Sequence, residues 1–450
     1  MFITMPNGIV CHDPNPSDNA RRGILLEKAL YGLKQSPRLF FLDIKKLLLD
    51  KGLVQLRRDP TAFYLSNPDG TRTYVLVYVD DIVIFGPSDK HCDAVHEILK
   101  SKYVIGEYDD IASYLGMNIK RTATGFTLDM KARTESILEE LPVKPVPLSP
   151  RQLCPRNVNW EIWAGASLDS LTTNELHCLY NYSHLVGAIN YLCTTVRPDI
   201  CLALSKLSQH LCNPTPTQAK HLNHLLQYLA ATTNKQLEIE PTSASGLEIF
   251  SDSNFADASD PKRRSTSGTV VTYHGRPVLW KSKLQTCTAD STHEAELYAV
   301  HQSLKLGLGI RLSLIELLEL NPTVTTPMFV DNAATVQTSK LKDQISNNNR
   351  HIDTRFFKVC DHVETGEITV LWCPGAINPA DLFTKPLTYQ EALPHIDLLL
   401  SNIPYSPEIM GGCKGINAPL AAAGAKRARL AMKSGNPREN KSRTSKASVS

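Results

Sequence analysis

The chain has 450 residues, 42% hydrophobic and 21% charged, with a net charge of +3, which is enough apolar matter for two or three domain cores. No apolar run reaches the ~18–20 residues of a membrane helix, no leader pattern starts at Met1, and the eleven cysteines fall singly with no C-x-x-C pair. This argues against a disulfide framework or zinc knuckle and for a reducing, intracellular setting. From Asn402 onward nine basic and two acidic residues give a surplus of seven and leave the body at −4, so any basic nucleic-acid surface has to be local.

Met1 to Val10 contains Pro and Gly without a capping signal. Helices are expected around Leu25–Leu33 and from Pro37 to Lys51, where Leu39, Phe40, Leu42, Ile44, Leu47 and Leu48 recur at near-helical spacing and Gly52 stops the run. Ala62–Leu65 and Tyr74–Phe85 read as strands. Inside the second, Tyr78-Val79-Asp80-Asp81 wedges two adjacent acids between apolar runs, which places them at the tip of a tight hairpin. Two neighbouring carboxylates raise each other's pKa unless a cation separates them, and their hard oxygens suit Mg²⁺. An isolated Asp-Asp pair is more often a solvated turn, because Asp is a common turn residue.

A helix is expected over Asp89–Ser101 and strands over Ser113–Arg121 and Phe126–Met130, a mixture without βαβ rhythm that suggests an α+β layer. Pro142, Pro145, Pro147, Pro150 and Pro155 mark a linker no helix can cross. Between Asn181 and Thr232 the leucine pattern fits three helices, broken at Arg197-Pro198 and Asn213-Pro214; His221 and His224 lack metal-ligand company there and read as packing or surface residues. A new α/β unit opens near Leu247 and ends near Leu387. The Gly, Ala, Ser, Lys and Arg beyond Asn402 cannot build a core, so a disordered tail is expected.

In that α/β unit, Leu247–Asp252 and Pro327–Asp331 are strands that end on an acid, with Thr269–Tyr273, Val278–Lys281 and Ile368–Cys373 as further strands. Ser291 reads as a helix N-cap with Glu294 completing a capping box, and Glu296 lies on another face of the same helix. Asn378-Pro379-Ala380-Asp381 reads as a helix start. Strand ends and helix starts converge on one sheet edge, so Asp252, Glu296, Asp331 and Asp381 can form one cluster able to hold two divalent ions for phosphodiester chemistry. Any one of them alone would serve as a cap or turn residue.

The motifs in order resemble the C-terminal part of a Ty1/copia-type retrotransposon polyprotein, a reverse transcriptase followed by ribonuclease H. The resemblance rests on Leu30-Tyr31-Gly32-Leu33-Lys34-Gln35-Ser36-Pro37-Arg38, Tyr78-Val79-Asp80-Asp81, Tyr114-Leu115-Gly116, Leu185-Val186-Gly187 and Arg197-Pro198-Asp199-Ile200. It continues through Ser251-Asp252, Arg264–Gly268, Trp280–Lys283, Glu294–Glu296, Asp331-Asn332, His351–Asp353 and Ala380–Leu387. It implies an α+β palm (1–141) lacking fingers and the first catalytic strand, a Pro-rich linker (142–180), a helical thumb (181–245), an α/β ribonuclease H-like domain with a mixed sheet (247–390), and the tail (402–450).

The resemblance assigns Asp80 and Asp81 as polymerase metal ligands and Asp252, Glu296, Asp331 and Asp381 as hydrolytic ones, with Glu294 the rival of Glu296. It places Gln35, Arg38, Tyr78 and Arg264 at the substrate. Two Mg²⁺ per active site are implied, with Mn²⁺ as a substitute. The implied partners are an RNA–DNA hybrid, primer–template and deoxynucleoside triphosphates, with no membrane, inside the cell in a cytoplasmic particle or the nucleus. The family's third polymerase acid precedes a segment like Ile3–Gly8, where this chain has almost nothing, and Asp13 and Asp18 do not replace it. Leu371-Trp372-Cys373 stands where cellular ribonucleases H carry a loop histidine. Hybrid cleavage is therefore expected ahead of DNA synthesis, with nucleic-acid binding without turnover, or an inactive relic, as the alternatives.

Overall fold

A computed structural model of the chain describes residues 2–4, 23–25, 32–106, 110–148, 164–240, 246–258, 260–340 and 350–400, and of 2–4, 23–25 and 350–356 the backbone alone. These residues form two compact units, 1–111 with 316–320, and the remainder.

In the first unit β1 (Phe2–Thr4) pairs antiparallel with β2 (Gly23–Leu25). Leu25, expected to open a helix, thus ends a strand; residues 26–31 lie outside the described set, and Gly32 and Leu33 belong to the turn before α1 (Ser36–Asp50). Pro37 sits in the first turn of α1, where its missing N–H costs nothing, and Gly52 at φ +86° leads the chain out. Strands β3 (Val54–Gln55), β4 (Ala62–Ser66), β5 (Arg72–Tyr78) and β6 (Asp81–Phe85) then form an antiparallel meander, followed by α2 (Asp89–Lys100). Alternate residues of β5 are buried, and Val75 and Val77 meet Ile44, Leu47 and Leu48 of α1 and Val95 and Leu99 of α2. The two-residue period leaves Tyr74, Leu76 and Tyr78 on the face away from the helices.

The second unit opens with β7 (Ser113–Tyr114), β8 (Met117–Arg121) and β9 (Phe126–Asp129), then α3 (Lys131–Glu139), α4 (Thr173–Tyr180), α5 (Tyr182–Thr195), α6 (Cys201–Ser208) and α7 (Pro216–Ala231). Strand β10 (Leu237–Ile239) returns to pair with β9. The three helices expected between Asn181 and Thr232 are α5, α6 and α7, and His221 is buried among them. Helix α4 lies in the segment read as linker; Thr172 and Glu175 close a full capping box at its start. Asn174 then ties the Pro-rich stretch down, accepting from Val143 N at 3.0 Å and donating to Val143 O at 2.8 Å. At the α5–α6 break the buried Arg197 guanidinium forks onto Asp199 at 2.9 and 2.8 Å, and the Tyr228 hydroxyl donates to the same carboxylate at 2.6 Å.

The rest of this unit is built on a mixed sheet. Its elements are β11 (Leu247–Asn254), β12 (Thr266–Tyr273), β13 (Arg276–Leu284), α8 (Thr292–Leu318, of which 316–318 count with the first unit), β14 (Thr326–Val330), α9 (Ala333–Thr338), α10 (Arg350–Glu364), β15 (Ile368–Trp372) and α11 (Tyr389–Leu399). The order is β13-β12-β11-β14-β15, with β11, β12 and β13 antiparallel in turn and β14 and β15 parallel to β11. That is the mixed sheet the resemblance implies. Ile249, Met328, Val330, Ile368 and Val370 from three strands pack with Val300 and Leu304 of α8. Among the described residues no helix is long and apolar enough to cross a membrane.

Candidate active site

Parallel neighbours present their C-terminal ends on the same sheet edge, so β11 and β14 bring Asp252 and Asp331 together. The third acid, Asp381, comes from the 3-10 turn Pro379–Phe383. One carboxylate oxygen from each of these three lies within 4.8 Å of the others. Two features hold the turn over the strand. Asn378, fully buried, donates from Nδ2 to Ser251 O at 2.9 Å and accepts the Ala380 N–H at 3.1 Å. Gly268, the cross-strand partner of Asp252, leaves room: a Cβ there would stand 2.6 Å from Ala380 O and 3.0 Å from the Phe383 side chain.

Glu296 and Glu294 are both buried near the start of α8 but have different surroundings. Ser291 Oγ accepts the Glu294 N–H at 3.1 Å, as an N-cap should, whereas the Glu294 carboxylate accepts the Asp290 N–H. One carboxylate oxygen of Glu296, Oε2, has no hydrogen-bond partner, and the side chain feels the charges of Asp252 and Asp331. Burial, reinforced by those charges, holds the Glu296 carboxyl well above its ordinary range. Burial and then the Asp381 charge push Asp252 up to about 8, against the pull of Lys385 and the Thr384 hydroxyl. Burial likewise raises Asp381.

The opposing charge is Lys385. Its Nζ stands 3.4 Å from Asp252 Oδ1 and 3.2 Å from Asp381 Oδ1, and the Thr384 hydroxyl donates to the other oxygen of Asp252. Burial would lower the Lys385 pKa, but the Asp252 and Asp381 carboxylates outweigh it and the net shift is upward. At the rim, Trp372 is 56% exposed and its indole N–H donates to the Asp331 backbone carbonyl at 3.0 Å. The donor set fits Mg²⁺ or Mn²⁺: hard carboxylate oxygens, close enough to repel one another, with a buried oxygen of Glu296 left without a partner.

The Asp80–Asp81 hairpin is differently built. Tyr78 and Asp81 pair across the strands, so the two-residue turn is Val79-Asp80, and Val79 adopts φ +53°, a strained conformation for a β-branched residue. Tyr78, Asp80 and Asp81 are all exposed. Among the described residues no third acid joins them. A cleft lined by Gly32, Leu33, Ser36, Pro37, Phe40, Val79 and Asp80 sets the Leu33–Arg38 motif against this turn. Gln35 precedes α1, half-buried, and Arg38 is exposed on its first turn.

Three further motif positions can be placed. Tyr114-Leu115-Gly116 makes the β7–β8 turn, with Leu115 at φ +50° and its carbonyl bonded by the Tyr191 hydroxyl at 2.6 Å. Arg264 forks onto Asp260, with its Nε at 3.1 Å from Oδ2 and a terminal nitrogen at 2.8 Å from Oδ1. The side chains of His351 to Asp353 lie outside the described residues. Asn378, Thr384 and Lys385 were legible as parts of motifs but had no assigned role. The one available signal was the four-residue spacing of Asp381 and Lys385, which suits an ion pair on a helical turn.

Residues 1–145 match the family model described as reverse transcriptase (RNA-dependent DNA polymerase). The retrovirus-related Pol polyprotein from transposon RE1 of Arabidopsis thaliana is 29% identical over 404 residues, covering 86% of this chain and 25% of the relative. The Pol polyprotein from transposon TNT 1-94 of Nicotiana tabacum is 27% identical over 373 residues, 80% of this chain and 27% of the relative. The transposon Ty1-JR2 Gag-Pol polyprotein of Saccharomyces cerevisiae is 27% identical over 383 residues, 81% and 21% respectively. The chain thus spans about a quarter of the length of these relatives. Among solved structures, a foamy viral protease-reverse transcriptase in complex with RNA/DNA hybrid matches 77% of this chain and 39% of its own at 16% identity and a TM-score of 0.41. LC11-RNase H1 matches 33% of this chain and 99% of its own at 16% identity and a TM-score of 0.25.

Proposed function

We propose that this chain, which resembles a region of Ty1/copia-type retrotransposon Pol polyproteins and matches the reverse transcriptase family model over residues 1–145, also carries a ribonuclease H-like domain, and that its competent chemistry is divalent-metal-dependent hydrolysis of the RNA strand of an RNA–DNA hybrid. The observation that carries this is the close approach of Asp252, Asp331 and Asp381, with oxygens within 4.8 Å. Those three and Glu296 would hold Mg²⁺, or Mn²⁺ in its place. Two such ions, when bound, supply an activated water and charge stabilisation at the leaving oxygen. The chain's own residues do the positioning. Asn378 fixes the turn bearing Asp381 to the strand bearing Asp252, the Thr384 hydroxyl orients the Asp252 carboxylate, and burial of Asp252 keeps bulk water from it.

In the same reading, Asp80 and Asp81 are the hairpin acids of the polymerase palm, residues 1–141, with Gln35, Arg38 and Tyr78 on the side of primer–template and nucleotide. Residues 181–245 form the thumb and 247–390 the ribonuclease H-like domain, where Arg264 would reach substrate only after leaving Asp260. The two exposed hairpin acids have no third partner among the described residues, so cleavage ranks ahead of synthesis. The purified chain, incubated with a labelled RNA–DNA hybrid and Mg²⁺, should cleave the RNA strand and lose this with chelator. Asp331→Asn should slow it by roughly 10²–10³-fold, the usual cost of a key electrostatic group. No cleavage, or cleavage indifferent to Asp331→Asn, overturns the proposal.

A further inference from the structure

We propose that Lys385 is a built-in counter-ion of the carboxylate cluster, which holds Asp252 and Asp381 in the metal-free chain and is displaced when a divalent cation binds. This rests on the metal-dependent reading of the site. Lys385 Nζ lies 3.4 Å from Asp252 Oδ1 and 3.2 Å from Asp381 Oδ1, two of the acids that, with Asp331, would hold a metal. Their side chains are 0% and 14% exposed. Carboxylates so buried need an opposing charge, and Lys385 is, among the described residues, a basic residue paired with both.

A second cation entering the same oxygens would be repelled by the ammonium until one of the two leaves. Lys385 can leave. Its side chain is 38% exposed, so a route to solvent is open on one flank, and a lysine charge rides on a flexible four-carbon stem. Its backbone stays anchored meanwhile, because Lys385 N–H donates to Asp381 O at 3.2 Å. The released ammonium would remain at the rim of the cluster, where three rotatable N–H donors suit a phosphate of the hybrid backbone.

The test is cation binding by the full chain, measured by titration calorimetry with Mn²⁺ and with Mg²⁺. Lys385→Met should bind the metal roughly tenfold or more tightly, because the competing charge is gone, and Lys385→Arg should stay near the parent. In chelator the Met variant should melt below the parent, and saturating metal should close that gap. A measurement on the unaltered chain stands even if the Met variant misfolds. Acylation of Lys385 by an amine reagent, read by mass spectrometry, should be slow in chelator and rise severalfold with metal. Unchanged or weaker metal binding in Lys385→Met, or an acylation rate indifferent to metal, overturns the counter-ion role and leaves the hydrolytic reading standing. A parent chain that binds no divalent cation overturns both.

Discussion

A buried acid persists only where something opposes its charge, and around Asp252 that work is shared by Lys385, the Thr384 hydroxyl and the turn that Asn378 ties down. His395, 4% exposed, feels the other side of this arrangement: burial, with the Lys385 charge adding to it, lowers its imidazole to about 4. An unfolded histidine titrates near 6.5. Between those values the unfolded chain takes up a proton at this histidine that the folded chain refuses, so the contribution of His395 to stability falls as pH drops from about 6.5 towards 4. The slope is about 1.4 kcal/mol per pH unit and the total about 3 kcal/mol. Because the raised Asp252, Asp381 and Glu296 carboxyls act in the opposite direction, gaining stability as pH falls, the histidine is read by difference: in urea unfolding at pH 7 and pH 5, His395→Gln should gain stability relative to the parent at the lower pH. At this scale Asp331 was legible because an apolar strand stops on it; Asp252, expected to end its strand, lies two residues inside β11, which runs on to Asn254. The three-residue spacing from Ser291 already marked Glu294 as a capping residue; its carboxylate does cap, but on the Asp290 N–H and not on that of Ser291. The role of Lys385 depends on a turn geometry that no propensity encodes.

Among the elements, the long helices and core strands follow from periodicity, and α1, α2, β11, β14 and β15 all fall where the apolar pattern puts them. The misses have local causes. Helix α4 lies in the proline-free second half of the segment read as a Pro-rich linker, where Thr172 and Glu175 spell a capping box. Helix α11 contains Pro394, which reads as a breaker. The hairpin turn takes Val79 into a positive φ that a β-branched residue seldom adopts, so the acids sit one residue later than a symmetric Asp-Asp turn would place them. Gly268 is where two elements depend on one missing methyl. In Gly268→Ala the Cβ would meet the Ala380 carbonyl at 2.6 Å, a backbone atom that cannot rotate away. We expect a loss of about 1–3 kcal/mol in urea unfolding, the usual cost of overpacking. Hybrid cleavage should fall as well although every acid remains, because the turn carrying Asp381 must lift.

Across the molecule, the two acidic sites differ in construction. The hairpin pair is exposed at a strained turn, whereas the three acids on the mixed sheet are buried (Asp252) or half-buried (Asp331, Asp381), come from two strand ends and one turn, and have the buried Glu296 of a helix beside them. Such a site forms only when a large part of the second unit has folded, so the state of its carboxylates reports on that whole fold. Trp372 offers a way to observe it with light. The chain has four tryptophans, and this one joins its indole N–H to the backbone carbonyl of Asp331 while more than half of its surface faces solvent. With Trp160, Trp163 and Trp280 replaced by phenylalanine, the remaining emission should shift when Mg²⁺ is added and be quenched when a hybrid is bound. An emission spectrum unmoved by either would mean that the indole and the carboxylates act independently. Otherwise a single fluorophore supplied by the sequence itself would time metal entry and substrate arrival on one instrument.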